Sequence, residues 1–217
     1  MAAAARKQKV TRQNGDQTRE KILDAAEASF GEQGFAAVSL REITTRAEVT
    51  LALASYHFGT KDNLFEEVVA RRATILCAER QARLDALENP DVRAILGAFF
   101  GPLFDMAKSG DPGWPAYFRV LARLGEGDEW MHLLSRYFDE TAQAFVAALQ
   151  KAMPGVDPDG LNRGFVMALH AMLATVSQHA RVTTLTGGKV SAHNLEAAQE
   201  ALLTFATAGI ESFDSRR

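Results

Sequence analysis

The apolar residues of this chain recur at the period of an α-helix along almost its whole length, and no stretch alternates as a strand would. Residues 18–33 show the pattern between Ile22 and Phe30, and Gly34 follows as a helix stop signal. The chain has 217 residues, of which 47% are hydrophobic, and this is enough to bury a substantial core. We therefore expect an all-α fold.

The composition indicates the cellular compartment of the protein and whether it contacts a membrane. No apolar run approaches the ~20 residues that a membrane-spanning helix needs. The single cysteine, Cys77, cannot form an internal disulfide, which is typical of a reducing compartment, and its apolar neighbours favour a buried thiol. These features predict a cytoplasmic protein without membrane contact.

Basic residues concentrate at the start of the chain, although the net charge of the whole is −3. The first 21 residues carry six basic and two acidic side chains, and residues 1–61 sum to +2 while the rest sums to −5. A basic arm on an acidic body can contact a polyanion while the body stays away from it. A solvated tail explains the same charges. We expect residues 1–17 to form a basic, flexible arm.

Three short helices are predicted after this arm, none of them long enough to be stable alone: 18–33, 39–46 and 51–58. Ser39 and Glu42 form a capping-box pattern, S-L-R-E, at the start of the second helix. Residues 47–50 have the length of a helix-turn-helix turn, and in that motif the helix after the turn enters the DNA major groove. Residues 18–60 are therefore predicted to form a DNA-binding domain.

An ordered set of motifs over residues 18–65 makes a family resemblance specific. The set comprises the Gly34-Phe35 stop, SLREI, A-x-V-T and YHFGTKDNLF, and it resembles the DNA-binding domain of TetR-type transcriptional regulators. Phenol, imidazole and ammonium groups donate well to phosphate oxygens, whereas Phe58 is expected to face the core. The resemblance implies nine DNA-binding residues in or beside the last two helices of the motif: Ser39, Arg41, Thr50, Leu51, Ala52, Ser55, Tyr56, His57 and Lys61.

Two features depart from the family pattern. Glu48 stands where the family usually has glycine, so a positive φ there would cost about 1–2 kcal/mol and would bring a negative charge near DNA. The LALA run at 51–54 offers few hydrogen-bond donors, which leaves direct readout to a few polar neighbours and to apolar contact with thymine methyl groups. We expect modest base readout, with phosphate contacts and DNA shape supplying much of the affinity.

Residues 61–217 are predicted to form a helical domain for ligand binding and dimerisation. Its aromatic-rich segments can line an apolar cavity, and it resembles a TetR subgroup that includes fatty-acid-responsive regulators, which implies an inducer there. The candidate ligand-binding residues are six large aromatics, two arginines spaced i, i+4 that could hold an acidic head group, and one histidine: Phe100, Phe104, Trp114, Phe118, Arg119, Arg123, Trp130, Phe138 and His170. Core packing is the alternative for each aromatic and for His170, and a solvated helix face is the alternative for each arginine.

The last two predicted helices, 158–185 and 191–213, suggest a homodimer. The first of them carries one apolar stripe through Phe165 and Met172 and a second face of small residues around Ala171 and Ala174. A helix that is apolar on two sides must bury both, one against its own core and one against a partner. A dimer would place two recognition helices ~34 Å apart on a palindromic operator.

The sequence contains none of the common catalytic or cofactor motifs: P-loop, GxGxxG, HExxH and paired cysteines are all missing. On one continuous helix, His170 and His179 would point to opposite sides, and His193 with Glu196 would supply only two ligands. We expect no catalytic residue, no metal and no cofactor.

Taken together, the motifs predict a transcriptional regulator, most simply a repressor that a small hydrophobic effector, such as a fatty acid or acyl compound, releases from a palindromic operator. The alternative is a helical small-molecule-binding or catalytic protein whose DNA-binding domain is degenerate. Glu48 and the LALA run keep that alternative open.

Overall fold

The computed structural model describes residues 2–125, 127–178 and 180–214, with side chains from residue 15 onward. Over these residues the chain forms α-helices joined by turns and one short 3₁₀ helix at Asp128–Trp130, and the only strand-like feature is an isolated bridge between Val156 and Asp214. The helices are α1 (Ala2–Gln33), α2 (Leu40–Arg46), α3 (Leu51–Phe58), α4 (Lys61–Asp85), α5 (Val92–Lys108), α6 (Gly113–Leu124), α7 (Met131–Ala152), α8 (Pro158–Val176), α9 (Arg181–Leu185) and α10 (Leu195–Glu211).

The chain divides into two compact units, of which the first ends at Arg71 and the second begins at Arg72. The division falls within α4, whereas the sequence-based division falls at residue 60. The first turns of α4 belong to the first unit because Leu64, Phe65 and Val68 are buried there. None of the described helices is both long enough and apolar enough to cross a membrane.

The first unit is built on an aromatic cluster. Phe65 of α4 lies 5.1 Å from Phe30 and 5.0 Å from Phe35 between ring centroids. Arg71, also on α4, forms ion pairs with three carboxylates of α1, including the buried Glu27 at 3.2 Å. Aromatic packing and charge therefore hold α4 against α1 inside this unit.

Helix α1 is longer than predicted. It begins at Ala2 rather than at Thr18, so the segment predicted to be a flexible arm is helical in the structure. Alanine, lysine, arginine and glutamine dominate this segment, and all four have high helix propensity. The predicted stop is confirmed: α1 ends at Gln33, and Gly34 follows with a φ of 84° and donates its N–H to the carbonyl oxygen of Phe30.

The second unit is organised around α5, which packs against α7, α8 and α10. Phe99 of α5 is almost fully buried, and its ring centroid lies 5.0 Å from those of Phe145 and Phe165. Helix α5 contains Pro102, and Asp91 caps its start by accepting from the N–H of Ala94 at 2.7 Å.

The predicted continuous helix over 158–185 is wrong. Helix α8 ends at Val176, Gln178 takes a φ of 58°, and α9 is a separate short helix. The segment that follows the break is rich in threonine, whose hydroxyl groups bond to the backbone; the Thr183 hydroxyl, for example, accepts from the N–H of Ala192 at 2.9 Å. His179 lies outside the described residues.

Candidate DNA-binding surface and effector cavity

The start of α2 is held by the predicted capping box. The Ser39 hydroxyl accepts from the N–H of Glu42 at 3.2 Å, and the Glu42 carboxylate accepts from the N–H of Ser39 at 2.7 Å. The bond from the Ser39 backbone holds the pKa of Glu42 below its ordinary value. At the other end of α2, Arg46 forms a two-pronged ion pair with Glu32 of α1 at 2.7 and 2.9 Å.

The turn between α2 and α3 has the strain that its sequence predicts. Glu48 has a φ of 56°, the left-handed conformation in which glycine is favoured. The turn is closed by backbone bonds from Glu48 N–H to the oxygen of Thr45 at 3.2 Å and from Val49 N–H to the oxygen of Thr44 at 3.0 Å. A non-glycine residue here costs about 1–2 kcal/mol, which the rest of the unit offsets.

Helix α3 buries one face and exposes the rest. Ala54 and Phe58 are buried, as predicted for Phe58, whereas Tyr56 is 82% exposed and Leu51 47% exposed. Ala52 and Ser55 are also exposed, as are Ser39, Arg41 and Thr50, while His57 is half-buried. Lys61 is half-buried as well, so all nine residues implied to bind DNA lie at least partly on the surface of this motif, and their contacts with DNA stay predictions.

Sequence reasoning missed Leu53, which is 39% exposed. It lies three residues before Tyr56 and four before His57, so the three side chains share one side of α3. Thr50 occupies the position before α3 in an extended conformation, and its side chain makes no cap hydrogen bond. Thr60 does cap α4, since its hydroxyl accepts from the N–H of Asn63 at 3.1 Å.

The ninth residue, Lys61, has a structural role that its sequence position did not indicate. Its Nζ donates to the carbonyl oxygens of Phe35 and Val38, both at 3.0 Å, and lies 4.0 Å from the centroid of the Phe35 ring. The ammonium group thus ties the start of α4 to the link between α1 and α2. Its contact with phosphate stays a prediction.

A cavity of about 230 Å³ lies inside the second unit. Side chains of five helices line it, from α4 to α8, and almost all of them are apolar. Phe138 and His170 belong to the lining, as the sequence predicts. The charged residues that line it are Arg80 and Asp139, and Asp139 is exposed.

The other seven predicted ligand residues do not line this cavity. Four of them are buried in packed aromatic core: Phe100, Phe104, Trp114 and Phe118. Trp114 stacks on Phe118 with ring centroids 5.7 Å apart, so these rings fill space rather than enclose it. Arg119 and Trp130 are half-buried and Arg123 is exposed, all away from the lining.

The absence of Phe100 and Phe104 from this lining has a simple geometric cause. The cavity is lined by Phe99 and Leu103, each one position before the predicted Phe100 and Phe104. One residue turns a helix by about 100°, so the two pairs face different parts of the core. The cavity therefore borders the face of α5 that carries Phe99 and Leu103, and a ligand role for Phe100 and Phe104 stays a prediction.

Arg80 is the cavity residue that sequence reasoning missed. It is 4% exposed, its Nε donates to the carbonyl oxygen of Phe99 at 2.9 Å, and its guanidinium carbon lies 3.7 Å from the Phe99 ring centroid. Burial lowers the pKa of Arg80 to about 10, which still leaves it charged at neutral pH. The available signal was its position, four residues after Leu76 on the buried stripe of α4.

His170 lies near the rim of the cavity on α8. Its Nδ1 is 2.8 Å from the carbonyl oxygen of Val166, and a carbonyl only accepts, so we assign the proton to Nδ1. Nε2 faces Gly125, where a Cβ atom would lie 3.3 Å from it. Among the residues that the structure describes, no three acidic, histidine or cysteine side chains group as metal ligands would.

An apolar groove of about 820 Å³ runs between α8 and α10. Small side chains such as Ala171, Ala174 and Ala201 line it, together with Phe205, which is 72% exposed. A phenylalanine so exposed beside a contiguous apolar surface is typical of a protein interface.

Comparison with known proteins agrees with this architecture. The family described as "Bacterial regulatory proteins, tetR family" matches residues 22–68, and "Tetracyclin repressor-like, C-terminal domain" matches residues 97–209. The chain is 31% identical over 163 residues to the HTH-type transcriptional regulator BetI 2 of Chromohalobacter salexigens, covering 71% of this chain and 74% of that regulator. The chain belongs to the TetR family of transcriptional regulators.

Solved structures share the fold. A TetR-family regulator from Streptomyces coelicolor aligns with a TM-score of 0.62 at 19% identity, covering 92% of this chain and 97% of that one. The fatty acid degradation regulator FadR from Bacillus halodurans aligns with a TM-score of 0.60 at 12% identity, covering 85% and 97%. The predicted all-α architecture, a helix-turn-helix motif followed by a helical domain, is confirmed.

Proposed function

We propose that this DNA-binding regulator is a repressor, and that a small apolar effector in the cavity of the second unit releases it from its operator. The observation that carries the proposal is that one chain has both an exposed recognition helix and a partly open apolar cavity. The alternative, a binding protein or enzyme with a degenerate DNA-binding domain, is not favoured, because the family match includes the helix-turn-helix residues themselves. DNA as the partner places the protein in the cytoplasm.

Helix α4 supports the link between DNA and effector. It begins at Lys61, close to the recognition helix in sequence, and it contributes Leu76 and Arg80 to the cavity lining. An effector that favours one position of α4 would shift the population toward conformers with a different spacing of the recognition helices. The residues that would contact the operator in the bound conformer are the nine implied by the family resemblance: Ser39, Arg41, Thr50, Leu51, Ala52, Ser55, Tyr56, His57 and Lys61.

The groove between α8 and α10 supports a homodimer. Two copies that pack these faces together would bury Phe205 and form an isologous four-helix interface. A two-fold dimer would then read a palindromic operator, one half-site for each recognition helix.

Changing Phe205 tests this interface. Phe205→Glu should convert the dimer to a monomer in sedimentation, because the interface would bury an unpaired charge, and affinity for a palindromic site should fall with it. Glu140→Lys is the matched control, because Glu140 is exposed on α7, away from the groove. A Phe205→Glu protein that remains dimeric would place the interface elsewhere.

The DNA-binding role itself is tested with the DNA upstream of the protein's own gene. We expect a dimeric, site-selective complex whose log K falls linearly with log salt concentration, because phosphate contacts release counterions. Equal, weak binding to every promoter fragment tried would contradict the proposal.

A further inference from the structure

We infer that Arg80 is the anchor for the effector, and that the effector is a compact monocarboxylate with an apolar body. The inference rests on the proposed function only in taking the 230 Å³ cavity as the effector site. Arg80 was not among the residues implied by the family resemblance, and nothing in its sequence neighbourhood has the pattern of a motif.

The hydrogen bonds of Arg80 leave part of its guanidinium unused. Nε donates to the carbonyl oxygen of Phe99, and Nη2 lies 3.5 Å from the sulfur of Met172, a weak acceptor. Within the described part of the chain, Nη1 has no hydrogen-bond partner, and no carboxylate forms an ion pair with Arg80. The Arg80 side chain borders the cavity, and the inference takes its unused N–H groups as the donors for a molecule inside it.

A buried charge without a counter-charge is costly. Burial lowers the pKa of Arg80, which is the sign of this cost, and polar groups in protein interiors are normally paired. A carboxylate matches the planar fork of a guanidinium and would provide the missing negative charge. A neutral ligand would leave that charge uncompensated, and a cation would add repulsion.

The remaining polar groups on the lining fit a single negative charge placed deep in the cavity. Asp139 is exposed and His170 lies near the rim with its Nδ1 proton directed to its own helix, so neither competes for Arg80. The rest of the lining is apolar, including Phe99, Leu103 and Phe138. An acid with one charged end and an apolar remainder would match both the Arg80 guanidinium and the apolar lining.

The volume limits the size of the ligand. At ~30 Å³ per water molecule, 230 Å³ corresponds to roughly eight waters, or a ligand of on the order of ten non-hydrogen atoms. Octanoate and benzoate are of this size. Palmitate is nearly twice as large, so part of its chain would extend beyond the cavity lining, and we expect it to bind more weakly than octanoate.

The first experiment measures binding to the purified full-length protein by calorimetry at pH 7.5, using octanoate, benzoate, octanamide and octylamine. We expect at least one of the two acids to bind, and octanoate or benzoate to exceed the neutral and cationic probes about 10- to 100-fold, the range set by one charge-assisted hydrogen-bond pair. Octanoate and benzoate together distinguish an aliphatic from an aromatic effector. Amide or amine binding as tight as the acids would overturn the inference without any variant.

The second experiment changes Arg80. Arg80→Met should remove the preference for acid over amide, lowering acid affinity about 10- to 100-fold while amide affinity changes little. Arg80→Lys should keep part of the preference, because it keeps the charge but loses the fork. Arg123→Met is the matched control, an exposed arginine of the same unit that does not line the cavity.

The selectivity ratio separates an anchor from a structural arginine. Arg80 could serve only to hydrogen-bond the carbonyl oxygen of Phe99. In that case Arg80→Met will change stability but leave the ratio of acid affinity to amide affinity unchanged, and the inference fails. The readout is independent of DNA: selective acid binding without DNA release would contradict the proposed induction but support the anchor. DNA binding without selective acid binding would support the DNA-binding role and contradict the anchor.

Discussion

The two units of this regulator differ in the solvent exposure of their candidate binding residues. The first unit presents its candidate contacts on the surface, with Tyr56 82% exposed and Leu51 47% exposed on a helix of eight residues. The second unit has its candidate site in a partly open cavity, where Arg80 is only 4% exposed. Substitutions at the surface site should therefore change binding with little effect on stability. The candidate internal site, in contrast, is built from the same side chains that hold the unit together.

The largest expected effect is on the core of the second unit. Phe104→Ala should lower the free energy of unfolding by about 3–5 kcal/mol, because Phe104 is fully buried among other apolar side chains. Urea unfolding measures the loss. The folded fraction should keep its acid-to-amide selectivity, since Phe104 does not line the cavity. A well-folded variant that loses acid binding selectively would show that Phe104 belongs to the ligand-binding site.

Lys61 is an exception to this difference between the units, because it is a candidate DNA-binding residue that also stabilises the fold. Lys61→Ala should lower the free energy of unfolding by about 2–3 kcal/mol, since it removes two charge-assisted bonds to Phe35 and Val38. Tyr56→Ala is the matched comparison: we expect a change in stability within about 0.5 kcal/mol and weaker DNA binding. Equal stability of the two variants, measured by thermal unfolding, would show that the Lys61 bonds contribute nothing.

The smallest expected effect is at the turn before the recognition helix. Glu48→Gly should raise the free energy of unfolding by about 1 kcal/mol, because glycine accepts the φ of 56° without strain. It should also tighten DNA binding by removing a negative charge from the motif. Glu48→Gln separates the two effects, since it removes the charge and keeps the strain. Tighter DNA binding by the glycine variant alone would assign the effect to the backbone.

The contrast also explains what could be predicted from the sequence. The capping box of Ser39 and Glu42, the stop at Gly34 and the strained turn at Glu48 depend on neighbours within a few residues, so local chemistry was sufficient. The cavity depends on five helices meeting, and no local pattern shows which side of α5 borders empty space. Arg80 was missed because arginine is mostly exposed in proteins, and its place four residues after Leu76 on the apolar stripe of α4 was not weighed against that tendency.

Helix ends show the same limit. The first helix was predicted to start at residue 18, yet the helix-forming residues before it extend α1 to Ala2. The break after Val176 was missed because the apolar pattern continues beyond it, while Gln178 takes a left-handed conformation that glutamine rarely adopts. In both cases weak local signals competed with structure formed elsewhere in the unit.

The most direct test of the account joins the two units in one titration. Octanoate or benzoate, whichever binds the free protein, is added to the preformed complex with upstream DNA, with octanamide as the neutral control and the Arg80→Met protein in parallel. The account predicts that the acid releases DNA from the native protein, that octanamide does not, and that the Arg80→Met complex resists acid at the same concentration. An acid that saturates the cavity by calorimetry yet leaves DNA affinity unchanged would contradict it.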